Sequence, residues 1–148
     1  MRLLACLLML FPLLAEERGG RAEYVGGTVA ALPGGSPGVI RTTSQQFMWF
    51  QAKAGNILVP YTRVNLLEYG QKVDRRYVLA ILISPLLLFS KKRQHFLTVG
   101  YTDEEGRQQA AIFRVNKGDV RAVLVSLEVK TGRKVEYQDE EARKAGKG

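Results

Sequence analysis

Residues 95–115 have the sequence HFLTVGYTDEEGRQQAAIFRV, which predicts two antiparallel strands joined by a tight turn. In each half, apolar side chains recur at every second position, which is the period of a β-strand. These residues are Leu97, Val99 and Tyr101 in the first half and Ala111, Phe113 and Val115 in the second. Asp103-Glu104-Glu105-Gly106 between them is a hairpin turn, with glycine supplying the left-handed position. The hairpin places the fold in the mainly β class.

Short apolar runs separated by turn residues also fill the chain upstream of this hairpin. They predict five further strands, at Tyr24–Leu32, Val39–Thr43, Phe47–Ala52, Ile57–Tyr61 and Val64–Tyr69. The run at Phe47–Ala52 is apolar on both faces, so we expect it to be well buried. About seven short antiparallel strands are typical of a small β-sandwich or barrel.

A single helix is predicted to follow the last strand and to cap the barrel. Asn116 is a favoured N-cap residue, and Asp119 three positions later suits the helix dipole. Apolar residues at helical spacing form one stripe, made of Val120, Val123, Leu124 and Leu127. Gly132 is a natural C-terminal stop. The charged residues 138–148 lack apolar anchors and predict a flexible tail.

The order and patterning of these elements resemble a pleckstrin-homology-like (PH-like) domain of the GRAM type found in bacteria. The stretches that carry the resemblance are Gly27-Thr28-Val29, the hairpin from Gly38-Val39-Ile40 to Phe47-Met48-Trp49-Phe50, Val59-Pro60-Tyr61 leading into Val64, and the helix from Lys117 to Thr131. The resemblance covers residues 24–137 and implies a binding or scaffold domain, not an enzyme. The chain departs from the family pattern at residues 72–93, which are longer and more apolar than a usual strand connection.

The N-terminal residues 1–15 have the pattern of a secretory signal peptide. Arg2 precedes an unbroken apolar run from Leu3 to Leu14, and Ala15 is a small residue at a suitable cleavage position. An uncleaved anchor helix and a lipidated Cys6 are the alternatives. Cleavage after Ala15 would leave residues 16–23 as a flexible lead to the domain. The prediction is an exported protein, periplasmic or extracellular.

The amino-acid composition excludes several kinds of chemical site. The chain has 148 residues, one Cys and one His, which exclude an internal disulfide and a multi-Cys or two-His metal site. No nucleotide-binding or hydrolase motif is present. His95 next to a strand favours a structural role, and Asp103-Glu104-Glu105 lacks the ligand spacing of a calcium loop. We predict no enzyme activity, no cofactor and no metal site.

The basic charge of the chain is concentrated in residues 72–93. The formal net charge is +8, which favours anionic partners. In this segment, Val78–Phe89 has ten apolar side chains in twelve positions, and cations flank it on both sides. As a helix it would reach about 18 Å, against a bilayer core of about 30 Å, so it is too short to span a membrane.

Three interpretations of this segment remain open. In the first, residues 77–83 form a buried strand, and Leu86–Phe89 belong to the core or to a strand edge. In the second, the segment dips into a membrane surface while its cations hold anionic headgroups. In the third, it is a protein–protein surface. The candidate membrane- or partner-binding residues are Lys72, Arg75, Arg76, Leu82, Leu86, Leu87, Leu88, Phe89, Lys91, Lys92 and Arg93.

The sequence therefore predicts an exported, non-enzymatic binding or scaffold domain that meets an anionic lipid surface or another envelope protein through residues 72–93. The alternative is a structural or assembly protein of the cell envelope that oligomerises through the same segment. A third hypothesis is an OB-type barrel that binds oligosaccharide or nucleic acid through Trp49. A position of Trp49 in the core is the simpler explanation of its apolar surroundings in the sequence. Export argues against a nucleic-acid partner.

Overall fold

A computed structural model describes residues 19–29, 32–72 and 94–147 of the chain. Eight strands form most of it: β1 (Gly20–Gly27), β2 (Ser36–Arg41), β3 (Phe47–Ala52), β4 (Gly55–Pro60), β5 (Val64–Gly70), β6 (Phe96–Thr102), β7 (Gln108–Val115) and β8 (Glu136–Tyr137). Two α-helices follow β7, α1 (Val120–Thr131) and α2 (Glu140–Lys147), and a 3₁₀ turn spans Tyr61–Arg63.

The strands form one sheet in the order β4-β3-β2-β1-β7-β6-β5-β8. Neighbouring strands are antiparallel except β5 and β8, which are parallel. The predicted mainly β class is confirmed. Instead of about seven strands and one helix, the described residues contain eight strands and two helices, because β8 and α2 lie in a part of the chain without apolar periodicity.

Alternate residues of β1–β7 point into one core, which α1 also contacts. Phe113 on β7 lies near its centre, with its ring centroid 5.0 Å from that of Phe50 and 5.9 Å from that of Tyr24. All three side chains are almost completely buried. The period-two pattern that predicted the strands therefore also identifies the core.

The strands β1, β6 and β7 have buried side chains on both faces. Val25, Phe96, Ala110 and Ile112 are buried but lie outside the main core cluster. On β7, Ala110 and Ile112 alternate with the core residues Ala111 and Phe113. This part of the sheet is apolar on both faces, as strands in the middle of a sheet often are.

The helix α1 packs beside the start of β1 and the loop that follows β2. A Cβ atom added to Gly20 would lie 2.2 Å from Val123 Cγ2, so the helix approaches the strand backbone directly. Ser126 Oγ donates a hydrogen bond to Thr42 Oγ1 at 2.7 Å. The stripe predicted for this helix is confirmed, since Val120, Val123, Leu124 and Leu127 are all buried.

The predicted start of this helix is wrong by three residues. Asp119, not Asn116, occupies the N-cap position, and α1 begins at Val120. Asn116 instead closes a turn, because its side-chain oxygen accepts a hydrogen bond from the Gly118 N–H. Asn serves turns and helix caps equally well, so the residue type alone did not separate the two. Gly132 ends the helix in the left-handed conformation, as predicted.

The predicted flexible lead over residues 16–23 is wrong for residues 20–23, which belong to β1. Gly20 pairs with Ile40 across the sheet, and the Asn116 N–H donates to the Arg21 carbonyl oxygen at 2.9 Å. Backbone pairing of this kind needs no apolar side chain. For that reason the polar and glycine-containing sequence concealed the first half of the strand.

The predicted flexible tail is also wrong for residues 140–147, which form α2. The Ala142 N–H donates to the Asp139 carboxylate at 2.6 Å and begins the helix. Ala142 and Gly146, one helical turn apart, are buried. A Cβ atom on Gly146 would lie 2.7 Å from Tyr137 and 3.3 Å from Leu124. Small residues allow α2 to pack closely against Tyr137 and Leu124. The absence of large apolar residues is the reason that the sequence predicted no helix here.

Candidate functional site

Four neighbouring strands bring their ends together at the place where residues 71–95 connect β5 to β6. Gly70, at the end of β5, pairs with Phe96 at the start of β6. Phe96 pairs in turn with Arg114 near the end of β7, and Arg114 pairs with Glu23 near the start of β1. The two residues that flank this connection, Gly70 and Phe96, are therefore neighbours on antiparallel strands.

Among the predicted site residues, only Lys72 falls within the described residues. It lies two positions after the end of β5 and is exposed. The other ten lie outside the described residues, namely Arg75, Arg76, Leu82, Leu86, Leu87, Leu88, Phe89, Lys91, Lys92 and Arg93. The alternative of a buried strand at residues 77–83 lies outside them as well.

Beside this connection lies an open cleft of about 430 Å³ between β1, the end of β7 and the residues before β6. The charged and polar side chains that line it include Arg21, Glu23, His95, Arg114, Asn116 and Lys117. We call this feature the β1–β7 cleft. Three of these side chains are cationic and one is anionic, so its lining has an excess of positive charge.

His95, at the margin of the β1–β7 cleft, contacts a buried tyrosine. Its Nδ1 lies 2.5 Å from the Tyr69 hydroxyl oxygen, and the two rings stack with an interplanar angle of 18°. Burial, and then the positive charge of Lys117, lowers the pKa of His95 below its usual 6.5. Burial raises the pKa of Tyr69 to about 12, so its hydroxyl keeps its proton at neutral pH. The structural role predicted for His95 agrees with this contact.

Two of the cations in the cleft have carboxylate partners. Arg114 forms an ion pair with Glu23 and donates a hydrogen bond to Gln94 at 3.2 Å. Arg21 Nε lies 3.1 Å from an Asp119 carboxylate oxygen. These pairs hold both guanidinium groups in place, but they also use part of their charge. Lys117 is exposed and has no carboxylate within ion-pair distance among residues 19–29, 32–72 and 94–147.

The depressed pKa of His95 predicts how stability depends on pH. Since the pKa is lower in the folded protein than in the unfolded chain, the unfolded chain binds the proton more readily. We therefore expect the His95 contribution to stability to be complete above pH 6.5 and to be lost as the pH falls below it. Urea unfolding across this range should show a steeper loss in the unchanged protein than in His95→Gln. Equal slopes for the two proteins would contradict the expectation.

The acidic turn between β6 and β7 is a structural element. The Asp103 carboxylate accepts hydrogen bonds from the backbone N–H groups of Glu105 and Arg107, at 3.0 and 2.8 Å. Desolvation is the largest single effect and opposes the shift, but hydrogen bonds from Arg107 and Gln109 and the positive charge of Arg107 together lower the pKa of Asp103 to about 2. Gly106 has φ +76°, as the turn requires. In the part of the chain that the structure describes, no three acidic, His or Cys residues are placed to hold a metal ion.

The aromatic run on β3 divides between two faces. Met48 and Phe50 are completely buried in the core, whereas Phe47 and Trp49 on the opposite face are only partly buried. The expectation that both faces are well buried is therefore wrong for the second face. Trp49 Nε1 is shielded from solvent and has no hydrogen-bond partner within the described ranges.

The sequence analysis did not identify Arg21, Arg114 or Lys117 as site residues. Each is an isolated cation in its own stretch of sequence, and only the pairing of β1 with β7 brings the first two together. Their spacing along the chain contains no signal that would have indicated this. The concentrated charge of residues 72–93 drew attention to the neighbouring segment instead.

No helix within residues 19–29, 32–72 and 94–147 has both the length and the apolar character needed to cross a bilayer. Comparison of the sequence with protein-family models and with curated protein sequences finds no match.

Proposed function

We propose that this chain is an exported, non-enzymatic binding domain that associates with an anionic membrane surface through the segment 72–93. The observation that carries the proposal is the hairpin connection. A segment with ten apolar side chains in twelve positions and with cations on both flanks is joined to the sheet at both ends. Its first cation, Lys72, is exposed, as are Arg21 and Lys117 in the neighbouring β1–β7 cleft. A partner surface that accepts this combination must offer both apolar volume and negative charge.

The energetics favour peripheral binding. An apolar side chain such as leucine contributes about 1.5–3 kcal/mol when it is transferred completely from water to an apolar phase. Each cation near an anionic leaflet adds about 1 kcal/mol. A few inserted leucines together with the flanking cations therefore suffice for stable surface binding. The segment is too short to span the bilayer, so the domain would lie on the surface.

We further propose that the fold is PH-like. The support comes from the meander β1–β4, the second group β5–β7 and a helix after the last long strand, α1, that packs beside the start of β1. In such a scaffold the sheet would act as a rigid carrier for a variable loop. Residues 71–95, which connect β5 to β6, would then provide the specificity of binding, as connecting segments on rigid scaffolds commonly do.

The test is co-sedimentation of the full chain with vesicles. We expect binding to vesicles that contain phosphatidylglycerol in phosphatidylcholine, and much weaker binding to phosphatidylcholine alone. Leu87→Asp should reduce the partition coefficient at least about tenfold, because one inserted leucine is lost and a charge is added. Lys72→Glu should reduce it by about 30-fold, since reversing one charge changes the interaction by about 2 kcal/mol.

Two matched variants control for general effects of these substitutions. Leu58→Asp places the same change on β4, where Leu58 is 51% exposed. Lys53→Glu reverses an exposed charge in the turn between β3 and β4. Neither should alter vesicle binding. If the unchanged protein fails to sediment with anionic vesicles, membrane association is refuted; self-association that Leu87→Asp abolishes would then favour the assembly protein.

A further inference from the structure

We infer that the β1–β7 cleft binds a phosphate group, through Lys117, His95 and Arg114. This inference goes beyond the proposed function, because the site needs only a soluble phosphate and not a membrane. The cleft has a volume of about 430 Å³, which is larger than a phosphate ion and leaves room for the group that carries it. It is open to solvent on one side, so a ligand has direct access.

Lys117 supplies a charge that the protein does not neutralise. Its side chain is exposed and has no carboxylate partner among the described residues, although Glu23 and Asp119 are near the cleft. These two carboxylates are engaged by Arg114 and Arg21, so they are held away from the ammonium group. An exposed ammonium without a carboxylate partner at the margin of the cleft attracts a small anion.

His95 supplies a directed hydrogen-bond donor. A neutral imidazole that accepts the hydrogen bond from the Tyr69 hydroxyl at Nδ1 carries its own proton on Nε2. In that tautomer the second ring nitrogen is a donor, and the stacking of the two rings holds the plane of the imidazole. Such an orienting partner behind a histidine is the usual device for selecting one tautomer.

Arg114 completes the set as a positioned cation. Its two terminal nitrogens are held by Glu23 and Gln94, so the planar group has little freedom. A guanidinium that is fixed in this way interacts with an anion without a further loss of side-chain entropy. Lysine, histidine and arginine around one open volume fit a tetrahedral dianion, and Glu23 in the same lining disfavours a purely electrostatic, unspecific surface.

Binding of a phosphate must change the titration of His95. Tyr69 from β5 contacts the imidazole, and the positive charge of Lys117, from the segment before α1, acts on it. The other titratable or charged residues that line the same cleft are Arg21 and Glu23 from β1 and Arg114 from β7. In the free protein, burial and Lys117 lower the pKa of His95. A bound dianion favours the imidazolium, so the pKa of His95 should rise when phosphate is added, and phosphate should bind more tightly at lower pH.

The experiment is an NMR titration of the full chain, in which His95 is the only histidine. Its ring proton signals should shift and saturate as inorganic phosphate is added, whereas added chloride at equal ionic strength should leave them unchanged. Lys117→Gln should raise the dissociation constant for phosphate about tenfold, since a charged hydrogen bond is lost. In the absence of phosphate it should also raise the pKa of His95. Lys53→Gln is the matched control and should change neither quantity.

The absence of a saturable His95 shift with phosphate, or equal binding by the Lys117→Gln variant, would overturn the inference. A second arm identifies the source of the phosphate group. If vesicles with phosphatidic acid bind more tightly than vesicles with phosphatidylserine at equal anionic fraction, and Lys117→Gln removes the difference, the group belongs to a lipid. Saturable phosphate binding without this difference supports a soluble phosphate compound, and it stands even when vesicle binding itself fails.

Discussion

Replacement of Phe113 by alanine is expected to lower the free energy of unfolding by about 3–5 kcal/mol. The side chain has no solvent exposure and contacts the rings of Phe50 and Tyr24. Phe113 also lies on β7, which holds β1 and β6 together. The substitution therefore leaves a cavity where both halves of the sheet meet. Because small domains are stable by only about 5–15 kcal/mol, the variant should be close to unfolded at elevated temperature.

Urea unfolding, followed by tryptophan fluorescence and by circular dichroism, measures this loss. Phe113→Leu retains most of the buried volume and should cost less than half as much. Leu58→Ala removes a side chain that is 51% exposed and should cost well under 1 kcal/mol. A midpoint for Phe113→Ala within experimental error of the unchanged protein would contradict the assignment of β7 to the centre of the core.

Substitution of Gly27 by alanine is expected to destabilise the fold by about 3 kcal/mol, an unusually large effect for one added methyl group. A Cβ atom at this position would lie 2.2 Å from the Ala110 carbonyl oxygen and 3.0 Å from Ala111 Cα. These two atoms belong to the backbone of β7, so movement of the third neighbour, the Tyr24 hydroxyl oxygen at 2.8 Å, would not by itself make room. The strands β1 and β7 would have to separate at a point where Gly27 pairs with Ala111.

Gly118→Ala is the matched control for this substitution. A Cβ atom there would lie 3.6 Å from Asn116 Oδ1, which is an ordinary van der Waals distance. We expect a change of less than about 0.5 kcal/mol in the free energy of unfolding. Hydrogen exchange should show that Gly27→Ala loses amide protection in β1 and β7 first. Equal stability of the two alanine variants would contradict the close approach of the strands.

Much of the sheet can be predicted from the sequence, because apolar side chains recur at every second position in its core strands. The bounds predicted for β3, Phe47–Ala52, agree with the structure, and those of β5–β7 agree to within a residue or two. Elements that depend on backbone pairing or on small residues were missed. The start of β1, the short strand β8 and the helix α2 are of this kind, and none of them has an apolar pattern to detect.

The candidate site also has one part that the sequence predicts and one part that it does not. Lys72 is predicted from local charge density, which is visible in one stretch of sequence. The β1–β7 cleft is a product of topology, since it brings together residues as distant in the chain as Arg21, His95 and Lys117. No local pattern connects such residues, so only the strand pairing identifies them. The tyrosine behind His95 is equally remote, because Tyr69 reaches it across the β5–β6 pair.

The attachment of residues 71–95 at the paired ends of β5 and β6 has a consequence for folding and for variation. Bringing Gly70 and Phe96 together across this connection costs only about 1–2 kcal/mol more than closing a tight turn, since the entropy of closure grows with the logarithm of the number of connecting residues. The hairpin β6–β7, with its short acidic turn, should form early, and β5 should join it later. The β5–β6 pair can therefore form at a similar entropic cost with connections of different length, because the pairing of Gly70 with Phe96 fixes only the two ends of the connection.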